Sequence, residues 1–165
     1  MLKEGDQAPI FRIETDEEIF ELKLKNDNKI LIFFFPRADT SGCTKEAIDF
    51  SVLSEKFNDL NVQVIGISKD KVIQQQKFKM KHNLSCILGA DYQSDICEQF
   101  GVWVEKSMYG KKYMGIQRTT FLIDEIGKVM KVWKSLWRKS EQPLVVSGGC
   151  GACACMCVLS SIINH

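Results

Sequence analysis

The sequence predicts a three-layer α/β domain with a central mixed β-sheet, and three observations carry that prediction. "KILIFFFP", residues 29 to 36, is a continuous apolar run of β-branched and aromatic residues stopped by a proline, the mark of a strand buried on both faces. "VQVIGIS", residues 62 to 68, repeats the pattern, and a segment with helical spacing separates the two. Further on, "RTTFLID" and "KVMKVW" flank "EIG", which reads as a hairpin that adds antiparallel strands to a largely parallel set.

Each element follows from local chemistry. After Pro36 a helix is expected, because Asp39, Thr40 and Ser41 can each cap an N-terminus and Phe50, Leu53, Phe57 and Leu60 recur at helical spacing. Residues 70 to 82 are polar with Ile73, Phe78 and Met80 interspersed, which predicts a surface helix. "SCILGAD" (85 to 91) reads as a short third strand ending in a turn, and "SDICEQFG" as a short helix. Residues 103 to 117, aromatic and basic with two glycines, read as a loop with some extended character, and Gly127 supplies the permissive position of the later turn. After about Trp137 the hydrophobic period is lost. Residues 1–137 are therefore expected to form one domain, and residues 138–165 a Gly- and Cys-rich tail, disordered and not a domain.

Composition narrows the function classes. The 165 residues carry 22 basic and 21 acidic side chains, well mixed, for a net charge of +1, so no basic stripe is present for nucleic acid or anionic lipid. The longest apolar run, Ile30 to Phe35, is too short to span a bilayer, and "MLKEGDQAPIF" is charged where a secretory signal would be apolar. A soluble, cytoplasmic protein is expected, with a monomer as the simplest state. Its seven cysteines then face a reducing compartment and are expected to be chemical or incidental rather than a disulfide scaffold.

Cys43 is the candidate nucleophile. A thiol attacks as thiolate, and a free thiol is mostly protonated at neutral pH, so its surroundings must favour the anion. Cys43 sits where a buried strand gives way to a helix, so the helix dipole and the unpaired first-turn N–H groups favour negative charge there. The bland alternative is a buried, inert cysteine. Thr40, three residues earlier, could aim its hydroxyl at whatever the thiolate attacks, or simply cap the helix. Pro36 could shield one side of the pocket, or simply stop the strand.

These residues carry a resemblance. "PRADTSGCT" has the Pro-x-x-x-Thr-x-x-Cys form of the peroxiredoxins, and "FFFPRADTSGCTKEA" resembles their bacterioferritin comigratory protein, or peroxiredoxin Q, branch within the AhpC/TSA superfamily. "KEGDQAPIF", "VIGIS", "ICEQFGVWVEKSMYGKKYMGIQRTTFLID" and "GKVMKVW" are similar to the branch's opening, second core strand, long central signature and following strand. The resemblance implies a thioredoxin-like fold and reduction of hydrogen peroxide or organic hydroperoxides without a cofactor. It implies that Cys43 is the peroxidatic cysteine and becomes a sulfenic acid, that Thr40 holds the peroxide, and that Pro36 shields the thiolate. It also implies that Arg118 favours the thiolate and stabilises charge on the departing oxygen, for which its planar set of donors is suited.

Many members of this branch carry a resolving cysteine five residues after the peroxidatic one, and Ile48 stands there in this chain. Cys97 and Cys86 are the remaining candidates upstream of the tail, both expected to be packing residues. If neither resolves, an external thiol such as thioredoxin, glutaredoxin or glutathione attacks the sulfenic acid. Cys150, Cys153, Cys155 and Cys157 in "CGACACMC" offer soft thiolates to zinc or copper(I), though four ligands within eight residues are sterically awkward, so no metal is expected. The family's closing helix is expected to be missing where the pattern breaks, as after a change of reading frame. A thioredoxin-like disulfide reductase is disfavoured because Thr40 replaces the first cysteine of Cys-x-x-Cys. The alternative outside enzymes is a non-catalytic thioredoxin-fold binding protein or a metal carrier using the tail.

Overall fold

Two short strands open the chain, β1 (Phe11–Glu14) and β2 (Ile19–Leu22), paired antiparallel with Phe11 opposite Leu22. The computed structural model describes residues 1–134 and 154–163. This hairpin was not expected from the sequence, although Phe11 and Ile13, then Phe20 and Leu22, alternate with polar residues as a half-buried strand does.

The main sheet has five strands. Strand β3 (Lys29–Phe34) lies parallel to β4 (Val62–Ser68), which lies parallel to β5 (Ile87–Ala90). Strand β8 (Thr119–Ile123) runs antiparallel to β3 on its other side, and β9 (Val129–Lys134) closes that edge. The central β3 divides its side chains by period two. Leu31, Phe33 and Phe35 join one buried cluster and Ile30, Ile32 and Phe34 the other. Each buried Leu, Ile or Phe contributes roughly 1.5–3 kcal/mol, so this one run anchors both layers.

The first layer holds α1 (Ser41–Val52), α2 (Ser54–Asp59) and α3 (Val72–His82), which contribute Cys43, Ala47, Phe50, Phe57 and Phe78. The single long helix expected after Pro36 is broken at Leu53, whose ψ of 6° lies off the helical value. The second layer holds β1, β2 and α4 (Ile96–Gln99), with Ile13, Phe20, Ile96, Cys97 and Phe100 buried.

Two sequence expectations are corrected. Residues 103 to 117 are not a loop but a hairpin, β6 (Trp103–Met108) and β7 (Lys111–Ile116), turned by Tyr109 and Gly110 at φ of 51° and 76°. Positive φ at both central positions matches the right-handed twist of the strands, and glycine takes it without strain. The closing helix is also present: α5 (Ala154–Ile163) buries Val158, Leu159 and Ile162 in the cluster that holds Cys43 and Phe50. Cys150 and Cys153 lie outside the described residues, and Cys155 and Cys157 fall in the span of α5. Among the described residues, no helix is long and apolar enough to cross a membrane.

Candidate active site

The strand ends place the site. Phe34 pairs with Thr119 at the C-terminal end of β3, so the residue before Thr119 arrives beside the turn that leads into α1. Cys43 and Arg118, 75 positions apart, meet there: Arg118 Nη2 donates to Cys43 Sγ at 3.3 Å. Cys43 lies in the first turn of α1 and is only 1% exposed. Glu46, one turn further on and equally buried, accepts from Arg118 Nη1 at 2.8 Å. The guanidinium therefore bridges a carboxylate and the thiol with two different nitrogens, a geometry that an ammonium cannot copy. Burial opposes the charge on Arg118, but Glu46 and Cys43 outweigh it and its pKa is raised.

The sequence expectations for Cys43 and Arg118 meet in one contact. Thr40 occupies the N-cap position with extended backbone (φ −89°, ψ 154°), yet its side chain makes no cap hydrogen bond. Instead its exposed hydroxyl donates to the Arg37 carbonyl at 3.1 Å, which leaves the oxygen's lone pairs open toward solvent. Pro36 is half-buried at the start of the same turn.

Asp70, Lys81 and His82, which the sequence did not single out, hold this turn together with Asp39. Asp70 Oδ2 accepts from the Ala38 backbone N–H at 2.7 Å and from Ser68 Oγ at 2.6 Å, so the end of β4 steadies the loop between Pro36 and Thr40. Asp39 sits at a φ of 61° and accepts from Lys81 Nζ at 2.7 Å, with His82 Nε2 2.8 Å from its other oxygen. His82 and Lys81 hold the Asp39 carboxyl below the usual carboxylate range. Glu46 had a signal in sequence, a carboxylate one turn after the thiol; the other contacts had none, because only the fold brings β4 and α3 to the loop.

The remaining described thiols are placed differently. Cys97 is buried on the opposite face of the sheet from Cys43, and burial followed by the Asp91 charge pushes its pKa far up. Cys86 shares the Cys43 cluster but lies 3.6 Å from Ser51 Oγ, and burial pushes it up to about 11. Ile48 lies on the outer side of α1, 37% exposed, so a thiol at that position would not share the buried setting of Cys43. Among the described residues no three His, Cys, Asp or Glu side chains form a group that could hold a metal ion.

Known proteins resemble the chain in sequence and in fold. The AhpC/TSA family model matches residues 4–132. A Coxiella burnetii protein provisionally named peroxiredoxin bcp is 48% identical over 130 residues, which are 78% of this chain and 86% of that protein. The crystal structure of the Mycobacterium tuberculosis peroxidoxin BcpB superposes with a TM-score of 0.78 at 30% identity, covering 99% of this chain and 98% of that one. The bacterioferritin comigratory protein of Xanthomonas campestris, studied for alkyl peroxide reduction, superposes with a TM-score of 0.77 at 27% identity over 94% of this chain and 91% of its own. The three-layer domain is thus a thioredoxin-like fold, and the chain belongs to the AhpC/TSA family.

Proposed function

We propose that this protein is a thiol peroxidase that reduces hydrogen peroxide and organic hydroperoxides through Cys43. The observation that carries the reading is the 3.3 Å contact from Arg118 Nη2 to Cys43 Sγ in the first turn of a helix. A guanidinium and a helix N-terminus both favour a thiolate over a thiol. The thiolate attacks the terminal peroxide oxygen, forming the S–O bond as the O–O bond breaks. Cys43 is oxidised by two electrons to the sulfenic acid, and the departing alkoxide or hydroxide takes up a proton. Arg118 stabilises charge on the separating oxygens, the Thr40 hydroxyl accepts from or donates to the peroxide, and Pro36 limits water at the sulfur.

Regeneration needs a thiol reductant. We assign that role to a thiol from outside residues 1–137, of the thioredoxin or glutathione kind, which attacks the sulfenic sulfur, releases water and forms a mixed disulfide that a second thiol opens. Cys97 across the sheet, Cys86 with its raised pKa and the apolar Ile48 all support this. In this reading the protein works in the cytoplasm as a monomer, and residues 138–165 are not a domain of their own.

Peroxide consumption under excess dithiothreitol tests the assignment. The parent should turn over and Cys43→Ser should fall to the uncatalysed rate; a Cys43→Ser protein as fast as the parent would make the enzyme reading wrong.

A further inference from the structure

Asp39 stands immediately before Thr40 in a backbone conformation that side chains resist. Its φ of 61° lies in the left-handed region, which few residues other than glycine enter. Its neighbours in the chain are anchored. The Ala38 N–H donates to Asp70 Oδ2 at 2.7 Å, and that oxygen also accepts from Ser68 Oγ, which in turn accepts from Nε2 of the buried Gln75 at 2.9 Å. On the other side the Thr40 carbonyl accepts from Thr44 N at 2.8 Å as α1 begins. Between these anchors the chain turns at Ala38 and Asp39, and the turn brings the Thr40 hydroxyl back to the Arg37 carbonyl.

The last turn of α3 holds the Asp39 carboxylate. Lys81 Nζ donates to Oδ2 at 2.7 Å and His82 Nε2 lies 2.8 Å from Oδ1, so each oxygen has its own partner. His82 is itself set in place: its ring stands edge-on to the buried Phe78 at 5.5 Å, and Phe78 packs 6.1 Å from Phe35, the residue before Pro36. This end of α3 therefore grips the loop twice, through Phe35 where it begins and through Asp39 where it delivers Thr40.

We propose that Asp39 is a positioning residue of the peroxidase site: gripped by Lys81 and His82, it holds the turn that aims the Thr40 hydroxyl at the bound peroxide. This rests on the reading of Cys43 and Thr40 as the peroxide site. An isolated ion pair open to water contributes little. Here two donors act on one carboxylate, one of them fixed by ring packing, and their task is only to keep a loop in a single conformation that its backbone resists. Without the grip the turn relaxes, and Thr40 meets the peroxide in its working direction for a smaller share of the time.

Asp39→Gly and the double variant Lys81→Met with His82→Phe break the grip from opposite sides. Glycine keeps the positive φ without strain, and phenylalanine keeps a ring against Phe78. In the full-length proteins two reactions of Cys43 are compared, oxidation by one equivalent of hydrogen peroxide in stopped flow and alkylation by iodoacetamide followed by mass spectrometry of the Cys43 peptide. Both variants should oxidise about three- to tenfold more slowly than the parent while alkylating at least as fast, because iodoacetamide makes no use of the Thr40 hydroxyl. In a Thr40→Val background, adding Asp39→Gly should slow oxidation by less than about twofold. Circular dichroism identifies any variant that fails to fold, and the other then carries the comparison. Folded variants that oxidise at the parent's rate overturn the proposal. So does an equal loss of both rates, which would place the effect on the thiolate, or an undiminished effect of Asp39→Gly on Thr40→Val. A parent inert toward peroxide sinks the peroxidase reading and the proposal with it, and shows before any variant is compared.

Discussion

At the scale of single residues, the site depends on how closely Arg118 can approach the helix that carries the thiol. A Cβ built on Gly42 would stand 3.3 Å from Arg118 Nη2, inside the range where a neighbour must give by a few tenths of an ångström. Gly42 has no positive φ, so alanine fits the backbone and should leave stability unchanged or raise it by up to about 1 kcal/mol. The guanidinium, pinned at its other nitrogen by Glu46, must then shift relative to Sγ. Gly42→Ala should therefore slow the first oxidation of Cys43 by about tenfold while the melting temperature holds or rises, since small misplacements of a charge-stabilising group are expensive. Stopped-flow oxidation and a thermal melt on the same sample check both halves. The glycine was visible in "TSGCT", but what it makes room for was not, because Arg118 arrives from a strand 75 positions later.

At the scale of elements, short helices and loops are held by buried carboxylates that the sequence pattern did not single out. The short helix α4 takes its support from Asp91, fully buried, whose oxygens accept from Ile96 N at 3.1 Å and Cys97 N at 2.9 Å, and which pairs with Lys69 at 3.1 Å. Burial opposes ionisation of Asp91, but hydrogen bonds from Ser94, Cys97 and Ile96 prevail and its pKa falls below the usual 3.8. A carboxyl with a depressed native pKa stabilises the fold above its unfolded value, and loses that contribution as pH falls through the native one. Asp91→Asn should cost about 1–3 kcal/mol at neutral pH, and the gap to the parent should narrow well below pH 3.8. Urea midpoints at pH 7 and in acid measure this; a gap that stayed constant would mean that the ionised form is not what matters. Sequence periodicity foresaw α4 as a short helix after "SCILGAD", yet missed the two outer hairpins. β1–β2 is too short for a strong period, and β6–β7 mixes aromatic, basic and glycine residues because much of it faces water.

At the scale of the whole molecule, one sheet serves two layers, and the thiol belongs to the layer that α5 completes. Leu159 is 3% exposed and lies in the same cluster as Phe33, Phe50 and Cys43. Leu159→Ala should destabilise the protein by about 2–4 kcal/mol, read as a lower urea midpoint, while the peroxide rate of the remaining folded protein stays near the parent's. A variant as stable as the parent would show that α5 adds nothing to the core. By itself the sequence determined the buried strands, their division between two faces, and the lone thiol at a strand-to-helix turn. Those properties follow from local runs of apolar residues and from the period of each element. Only the tertiary structure decided that Arg118 and Glu46 gather at Cys43, that Cys97 lies across the sheet, and that a closing helix covers the core. Such facts depend on which strands pair and in what register, and pairing joins residues whose separation along the chain carries no local signal.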